Sequence, residues 1–359
     1  MNTKKKLTAC LFLTLLFATG TAAQTYTVTD LGTLSGFSAS HAYDNNNPGQ
    51  ATGCSDNSVF PAVPCSDSSI PADPFLWSSG VMQDLGNLSG FDSGAGYVVN
   101  DSGDVVGYSA NTQTGVTHGV LWPHSGGIVD LGTLPGGNGY SVADAITSKG
   151  VIVGESVVSN GDVHAVLWTK SGGSYHIHDE GHMPKAPYTY PYDINETLQV
   201  TGIAYFNQAG TRYHAFLWSK TSGWEDRIPL PGGKNSYGSW LNNLGVIAGA
   251  STSAKYPNGV TVYWDAAGKI HLVGTLPGGD SSWPGFITDS GEILGESTVP
   301  GGDNHAFIWT KKKKMRDLNN LIPKNSGWVL HHAASVNTAG QIVGYGTING
   351  VDHGFLLTP

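Results

Sequence analysis

The sequence predicts an all-β fold, a seven-bladed β-propeller of four-stranded blades that is closed by the N-terminal strand. Three observations predict it: a repeat of about 46 residues, four short strand-like runs in each repeat, and an unusual composition. Glycine contributes 50 of the 359 residues, and charged residues make up only 13%. Such a profile is typical of many short strands joined by tight turns.

Tryptophans that end similar apolar runs mark the repeat. Successive tryptophans are 45 to 50 residues apart, and a seventh run closes the chain without one. They are Trp77, Trp122, Trp168, Trp218, Trp264 and Trp309. Four strands within a period of roughly 40 to 50 residues are typical of a propeller blade, which buries its faces only by stacking on its neighbours.

The second repeat shows the four elements clearly. We predict strands over residues 96–100, 104–109, 118–122 and 128–131. The turn at 100–104 has the sequence Asn-Asp-Ser-Gly-Asp, which also suggests a calcium loop. Its carboxylates do not recur in the equivalent turn at 147–150. A tight hairpin with glycine in the left-handed conformation is therefore the preferred interpretation.

The ends of the chain predict closure. The first three strands of the repeat occur seven times, whereas the fourth occurs six times after residue 39. The missing copy stands at residues 26–31, and we expect it to pair with residues 352–357. Residues 24–359 then form a single domain of seven repeats, because a closed repeat array is one domain.

Residues 1–23 read as a secretory signal peptide. Three lysines precede an apolar stretch over 7–17, and cleavage is expected near Ala23. Without this segment the formal net charge changes from −9 to −12, which disfavours nucleic acid and anionic membranes as partners. We therefore expect a secreted or periplasmic protein without a membrane span. Cys54 and Cys65, an even pair in an exported chain, are expected to form a disulfide.

Three recurring motifs carry a family resemblance. They are Asp-Leu-Gly-Thr-Leu-Pro-Gly-Gly, Asn-x-x-Gly-x-Val-Val-Gly and His-Ala-Phe-Leu-Trp, the last beginning at His214 and, with Ile for Leu, at His305. Together they resemble the HAF-type extracellular repeat of bacterial proteins. The resemblance implies a bacterial exported protein and no particular chemistry.

A histidine recurs at one strand position of the repeat. It is replaced by Asp73 and Val260 in two copies. The five histidines are His118, His164, His214, His305 and His353. An active site is normally built once, so the repetition favours a structural role. A buried imidazole needs a hydrogen-bond partner, either a backbone carbonyl or the aspartate of the Asp-Leu-Gly motif.

A unique histidine-rich run is the strongest metal candidate. His176 and His178 would project from one face of a strand, with Glu180 and His182 nearby. A divalent metal here would support the alternative function, a metal-dependent hydrolase or lyase. No other cofactor is expected.

Loop lengths favour a binding function. The connections between second and third strands, and between blades, are the longer ones, and both classes emerge on one face of the propeller. Aromatic residues outside the repeat consensus gather there: Tyr188, Tyr190, Trp240, Trp283 and Trp328. Loops on a rigid scaffold commonly carry binding sites. The first hypothesis is therefore a non-enzymatic, monomeric binding or scaffold protein whose ligand is a carbohydrate or a protein.

Overall fold

The computed structural model describes residues 25–57, 65 and 70–359. The proposed signal peptide and most of the loop between Asn57 and Ile70 lie outside these residues. Within them the chain forms 28 β-strands and one short 3₁₀ helix, Leu318–Asn320, which confirms the all-β class. None of the helical structure in the described ranges has the length and apolar character needed to cross a bilayer.

The strands form four-stranded antiparallel units in chain order, of which the third and fourth are joined into one sheet by a parallel bridge between Val163 and Tyr188. Strand β1 is Thr27–Asp30. Sheet 1 contains β2 (Ala39–Asn45), β3 (Ala51–Asp56), β4 (Asp73–Ser78) and β5 (Val81–Asp84). Sheet 2 contains β6 (Ser93–Val99), β7 (Val105–Ala110), β8 (Thr117–Trp122) and β9 (Val129–Asp130). Sheet 3 contains β10 (Ser141–Ile146), β11 (Ile152–Val157), β12 (Val163–Ser171) and β13 (Ser174–Gly181). Sheet 4 contains β14 (Tyr188–Ile194), β15 (Val200–Tyr205), β16 (Tyr213–Ser219) and β17 (Gly223–Arg227).

The remaining sheets continue the pattern. Sheet 5 contains β18 (Ser236–Leu241), β19 (Ile247–Ser251), β20 (Val260–Trp264) and β21 (Ile270–Gly274). Sheet 6 contains β22 (Ser282–Ile287), β23 (Ile293–Thr298), β24 (Asn304–Thr310) and β25 (Lys314–Asp317). Sheet 7 contains β26 (Trp328–Val336), β27 (Ile342–Ile348), β28 (Val351–Thr358) and, as its fourth strand, β1.

Sheet 7 joins the two ends of the described chain. β1 runs antiparallel to β28, with Thr27 opposite Thr358 and Asp30 opposite Phe355. Elsewhere the observed strands agree with the expected ones to within a few residues. In sheet 2 the first strand begins three residues earlier than expected, at Ser93, because its pairing with β7 continues to Ala110.

The first strands of successive sheets contact one another, and β26 also contacts β2. The turns that follow these first strands are linked by asparagine side chains. Amide-to-carbonyl hydrogen bonds of 2.9 to 3.1 Å run from Asn46 to Asn100, from Asn195 to Asn242, from Asn242 to Thr288 and from Asn337 to Asn46. These bonds fix the turn of sheet 1 to those of sheets 2 and 7, and the turn of sheet 5 to those of sheets 4 and 6.

The same asparagine also builds the turn. The Oδ1 atom of Asn100 accepts hydrogen bonds from the backbone N–H groups of Ser102 and Asp104, each 3.0 Å long. Gly103 has a φ of 84°, the left-handed conformation expected for a tight turn. The asparagine side chain therefore has two roles. Its Oδ1 atom accepts hydrogen bonds within its own turn, and its Nδ2 atom donates to a carbonyl of the neighbouring turn.

The repeated tryptophans pack each sheet against the preceding one. Trp122, Trp168 and Trp264 are among the largest fully buried side chains. The indole N–H of Trp122 donates to the carbonyl of Gly86, at 2.9 Å, and that of Trp168 donates to the carbonyl of Leu131, at 2.8 Å. A buried indole requires such a partner, and here the partner belongs to the adjacent sheet.

A glycine in every second strand permits a β-bulge in the first strand. The register between first and second strands shifts once in sheets 1 to 6 and twice in sheet 7. A Cβ atom on the facing glycine would collide with a backbone carbonyl oxygen of the first strand. These glycines are Gly53, Gly107, Gly154, Gly202, Gly249, Gly295 and Gly344. The glycine that ends the Val-Val-Gly motif is therefore required because the backbone of the first strand approaches it too closely for a side chain.

We expect Gly154→Ala to lower the free energy of unfolding by roughly 3 kcal/mol, because the backbone of β10 must move to admit the methyl group. The collision would involve the carbonyl oxygen of Val142. Urea unfolding followed by fluorescence measures the change. Gly291→Ala is the control, since Gly291 has a φ of 80° and open space around its Cβ position. It should cost only about 1 kcal/mol, and equal losses in both variants would contradict the steric explanation.

Candidate ligand-binding cavities

A central cavity of about 440 Å³ lies between the first strands of the sheets. Every sheet contributes at least one residue to its wall. Its aromatic and titratable residues are Tyr43, Tyr97, Asp144, Tyr192, Tyr237, Trp240 and His332. The side chains at these positions vary between repeats, so this wall is less regular than the core with its repeated tryptophans.

The β-bulges direct these side chains into the cavity. A bulge leaves one residue of the first strand unpaired and redirects its side chain. In sheets 1, 2 and 4 the bulged residue is Tyr43, Tyr97 or Tyr192, and in sheet 3 it is Asp144. Ser239, Gly285 and Ala334 hold the same position in sheets 5 to 7, and all seven residues line the cavity.

A second cavity of about 460 Å³ opens at sheet 4, toward the end of the sheets where second and third strands connect. Its lining is uncharged and mainly aromatic. It consists of Tyr188, Tyr190, Tyr192, Tyr205, Asn207, Gln208 and Gly210. Tyr192 belongs to both cavities, so they adjoin. We refer to this second cavity as the tyrosine cavity.

The rings of the tyrosine cavity are fixed by contacts with one another. Tyr190 and Tyr205 meet edge to face with centroids 5.8 Å apart, and Tyr205 also packs against Tyr213 at 5.3 Å. Burial and the nearby Glu155 carboxylate raise the pKa of Tyr190 to about 12. Its hydroxyl therefore stays protonated at neutral pH and is available as a hydrogen-bond donor.

Two aspartates beside the bulges tie neighbouring sheets together. The Asp44 carboxylate accepts the backbone N–H of Val99 at 3.0 Å, and that of Asp193 accepts the N–H of Leu241 at 2.7 Å. Burial raises the pKa of Asp44 to about 6 and the pKa of Asp193 to about 7, although these hydrogen bonds oppose the shift. Both groups therefore titrate near neutral pH.

Asp144 and Glu155 form a pair of carboxyl groups at the central cavity. Burial, and for Asp144 also the charge of Glu155, raises both pKa values. Tyr140 donates to Glu155 Oε1 at 3.2 Å, whereas Asp144 Oδ2 and Glu155 Oε2 have no hydrogen-bond donor among the described residues. A proton shared between the two carboxyl groups would supply a donor and relieve the repulsion.

The repeated histidines take the aspartate of the Asp-Leu-Gly motif as partner, one of the two options derived from the sequence. His118 Nδ1 lies 2.9 Å from the Asp130 carboxylate, and His353 Nδ1 lies 2.9 Å from that of Asp30. The other pairs are His164 with Asp179, His214 with Asp226 and His305 with Asp317. Each pair joins the third and fourth strands of its sheet, and the pair of Asp30 joins β1 to β28.

The aromatic residues singled out by sequence lie at different depths. Tyr188 and Tyr190 line the tyrosine cavity, and Trp240 lines the central cavity, where it packs against Phe286. Trp283 is half-buried beside the loop that contains Gly259. Trp328 is 9% exposed and packs against Phe355 in the hydrophobic core. It is the first residue of β26 and therefore belongs to sheet 7, not to a loop.

The four residues of the histidine-rich run do not converge. His176 and His178 are exposed on β13, where they contact Ser171 O and Thr169 Oγ1 of the adjacent strand. Glu180 lies at the register shift between Asp179 and Gly181. His182 follows β13 and stacks near His164, with ring centroids 5.3 Å apart.

The expected disulfide is present between Cys54 and Cys65, whose Cα atoms are 6.4 Å apart. It lies close to the wall of the central cavity. Tyr108 donates to the carbonyl of Cys65 at 2.9 Å, and Cys54 Sγ is 3.6 Å from the Tyr43 hydroxyl. The disulfide therefore holds Cys65 beside Tyr108 and beside Tyr43, which lines the central cavity.

Tyr43, Tyr97, Tyr192, Tyr205 and Tyr237 were not singled out by sequence reasoning. A usable signal existed for Tyr43, Tyr97 and Tyr192: the residue three positions before the repeated Asn or Thr of the first hairpin varies between repeats and is tyrosine in three of them. The direction of this side chain depends on the β-bulge. The regular alternation of side chains between the two faces of a strand does not predict where a bulge occurs.

No family model matches the sequence, and no curated protein sequence matches it. Solved structures do. The chain is similar to the β-propeller domain of the Trilobed protease from Pyrococcus furiosus, at 8% identity and a TM-score of 0.55 over 90% of this chain and 95% of that one. It is also similar to a Mycobacterium tuberculosis puromycin-hydrolyzing peptidase, at 10% identity and a TM-score of 0.52.

The second likeness covers 89% of this chain and 49% of the peptidase, so this chain corresponds to about half of that protein. At such identities the likenesses carry information about fold alone. Together with the four-stranded sheets, they identify the architecture as a β-propeller.

Proposed function

We propose that the sheets are seven blades around one axis and that β1 closes the ring by completing the last blade. Three observations support this arrangement. The first strands contact each other in succession, including β26 with β2. All seven first strands line one cavity. The amide of Asn337, near the end of the chain, reaches the carbonyl of Asn46 near its beginning.

We further propose that the protein is an exported, non-enzymatic binding propeller whose site is the tyrosine cavity. The observation that carries this proposal is the cluster of four tyrosines at the end of the sheet where the second–third strand connection emerges. The Cys54–Cys65 disulfide supports export, because disulfides persist in oxidising compartments. Membership of the HAF-type repeat family remains a prediction from the motifs.

The chemistry of the lining favours a neutral carbohydrate. Tyrosine faces stack on the apolar faces of sugar rings, and the Asn207 and Gln208 amides offer both donors and acceptors to hydroxyl groups. No charged residue lines this cavity. The acidic net charge of the chain further disfavours anionic glycans. A protein ligand is the other outcome of the test below.

Tyr190→Ala and Tyr205→Ala should each weaken binding at least tenfold, because each removes a ring from the cavity wall and leaves a gap beside its partner. The mature protein is first screened on an array of neutral and charged glycans. The affinity for the best neutral glycan is then measured by isothermal titration calorimetry. Circular dichroism verifies that the variants are folded.

Tyr256→Ala is the matched control, since Tyr256 lies in the β19–β20 loop on the same face but outside the tyrosine cavity. It should retain full affinity. Capture of a protein with no glycan bound would replace carbohydrate by a protein ligand, and equal affinity in all three variants would exclude the tyrosine cavity as the site.

The metal-dependent enzyme that the sequence also suggested receives no support from the run 176–182, whose side chains point to separate partners. A binding role accounts for the aromatic cavity without invoking a reaction.

A further inference from the structure

One histidine of the run belongs to a different cluster. Asp162 and His164, at the start of β12, and His182, just after β13, bring one ligand atom each to within 4.8 Å of one another. All three side chains are partly buried. The cluster lies at the same end of sheet 3 as the long connections, because Asp162 precedes a third strand and His182 follows a fourth.

We propose that Asp162, His164 and His182 form a binding site for a transition-metal dication, for which zinc is the probe. Two imidazole nitrogens and one carboxylate oxygen are a ligand set that zinc accepts, with a further position left for water or another ligand. Calcium and magnesium prefer oxygen ligands throughout, so the nitrogen donors select against them.

The hydrogen bonds around the two imidazoles prepare them for metal binding. His164 Nδ1 donates to Asp179 Oδ1 at 2.8 Å, and His182 Nδ1 donates to the carbonyl of Met183 at 2.9 Å. Both Nδ1 atoms therefore carry the proton, and the lone pair remains on Nε2 of each ring. Ligating histidines usually show this arrangement, in which a carboxylate or carbonyl fixes the tautomer and orientation.

The carboxylates of the site are themselves held in place. The Asp179 Oδ1 atom accepts a second hydrogen bond from the backbone N–H of Gly181 at 2.8 Å. Asp162 Oδ2 accepts from the side-chain amide of Asn160 at 2.9 Å. These contacts restrict the ligands before any ion arrives, which reduces the entropy lost on binding.

The repeat supplies an internal comparison. The position that corresponds to 182 is threonine in three of the six other motifs, at Thr33, Thr133 and Thr275, and is histidine in none of them. The motif of sheet 6 contains the same Asp-x-His pattern, Asp303 and His305, but has asparagine at the position that corresponds to 182. Sheet 3 alone therefore adds a second imidazole to a His–Asp pair that the other sheets use only to join strands.

Zinc binding to the purified mature protein is measured by isothermal titration calorimetry and by elemental analysis after dialysis. We expect one zinc ion per chain. His182→Thr, which restores the residue of the repeat, should lower the affinity at least 100-fold while the protein stays folded. Asp179→Asn should lower it about 10- to 100-fold, because it loosens His164 without removing a ligand.

Two variants serve as controls. His305→Ala disrupts the equivalent pair in sheet 6, and the double variant His176→Ala, His178→Ala removes the exposed histidines of β13. Both should bind zinc with unchanged affinity. The proposal is overturned if no zinc binds stoichiometrically, if His182→Thr binds as tightly as the parent, or if zinc is lost only in the double variant.

Discussion

Removal of β1, by deletion of residues 24–31, should lower the free energy of unfolding by on the order of 5 kcal/mol, comparable with the whole stability of many domains. β1 supplies the outer strand of sheet 7, and the flanking residues Tyr26 and Leu31 are 4% and 5% exposed. The backbone N–H of Tyr26 also donates to the carbonyl of Leu321 at 2.8 Å. The deletion therefore exposes apolar surface and an unpaired strand edge together.

Thermal and urea unfolding of the deleted protein measure the loss. A synthetic peptide of residues 24–36, added in excess, should raise the midpoint progressively with the logarithm of its concentration, because it rebuilds β1 on β28 by mass action. A peptide of the same composition in scrambled order is the control. An unchanged midpoint after deletion, or equal effects of the two peptides, would mean that β1 does not stabilise sheet 7.

Much of the fold was predictable because the pattern of each strand recurs in several repeats, so that an unclear copy can be recognised from the others. The all-β class, the four strands of each sheet and the disulfide are confirmed, and the β1–β28 pairing agrees with the expected one. The strand bounds were less predictable. β6 begins at Ser93 because its pairing with β7 continues to Ala110, and the bulge leaves Tyr97 as an extra, unpaired residue that has no signature in strand alternation.

The site was less predictable, because it depends on where side chains point. Tyr188 and Tyr190 were singled out, but Trp328 lies in the core, since a tryptophan at a strand start can face either way. His182 was assigned to the run of β13 by proximity in sequence. Its neighbour is instead His164, 18 positions earlier, because adjacent antiparallel strands bring such residues together.

Raising the pH from 6 to 8 should destabilise the protein, the opposite of what ionised, salt-bridged carboxylates produce. Asp193, with a pKa of about 7, and Asp44, with a pKa of about 6, hold protons in the folded state that the unfolded chain has already released. Stability from such groups is present below the unfolded pKa and is lost as pH rises through the folded pKa. For Asp193 alone the loss between pH 6 and 8 is about 1.4 kcal/mol.

Two histidines also change the free energy of unfolding in this pH range, and one of them opposes the effect of the aspartates. Burial lowers the pKa of His41 well below its usual value, so His41 favours the folded state increasingly as pH rises toward about 6.5. The unfolded histidine is half-protonated at that pH and nearly neutral about one unit above it, so this opposition fades over that interval. The hydrogen bond of His305 to Asp317 raises the pKa of His305, which adds to the loss at higher pH. Stability is therefore expected to fall throughout the interval from pH 6 to 8, with less opposition from His41 toward its upper end.

The Asp144–Glu155 pair also contributes to the loss of stability with pH, and a single substitution tests its contribution. Glu155→Gln leaves a side chain of the same shape, supplies a permanent amide donor in place of the shared proton, and removes one group with a raised pKa. The variant should lose less stability than the parent between pH 6.5 and 8, as measured by urea unfolding at each pH. Asp92→Asn is the control, since hydrogen bonds from Thr112 lower the pKa of this exposed group, which is ionised in both states throughout the window.

The same pair links stability to the state of the central cavity. Deprotonation places negative charge near Tyr97 and Tyr192 in the cavity wall. An identical pH slope in Glu155→Gln and the parent would mean that the two carboxyl groups share no proton and that Asp193 and Asp44 account for the loss. If the free energy of unfolding falls less steeply with pH in Glu155→Gln, the Asp144–Glu155 pair contributes to stability only while it holds its proton. Neither acid belongs to the repeat motifs, so this contribution is specific to sheet 3.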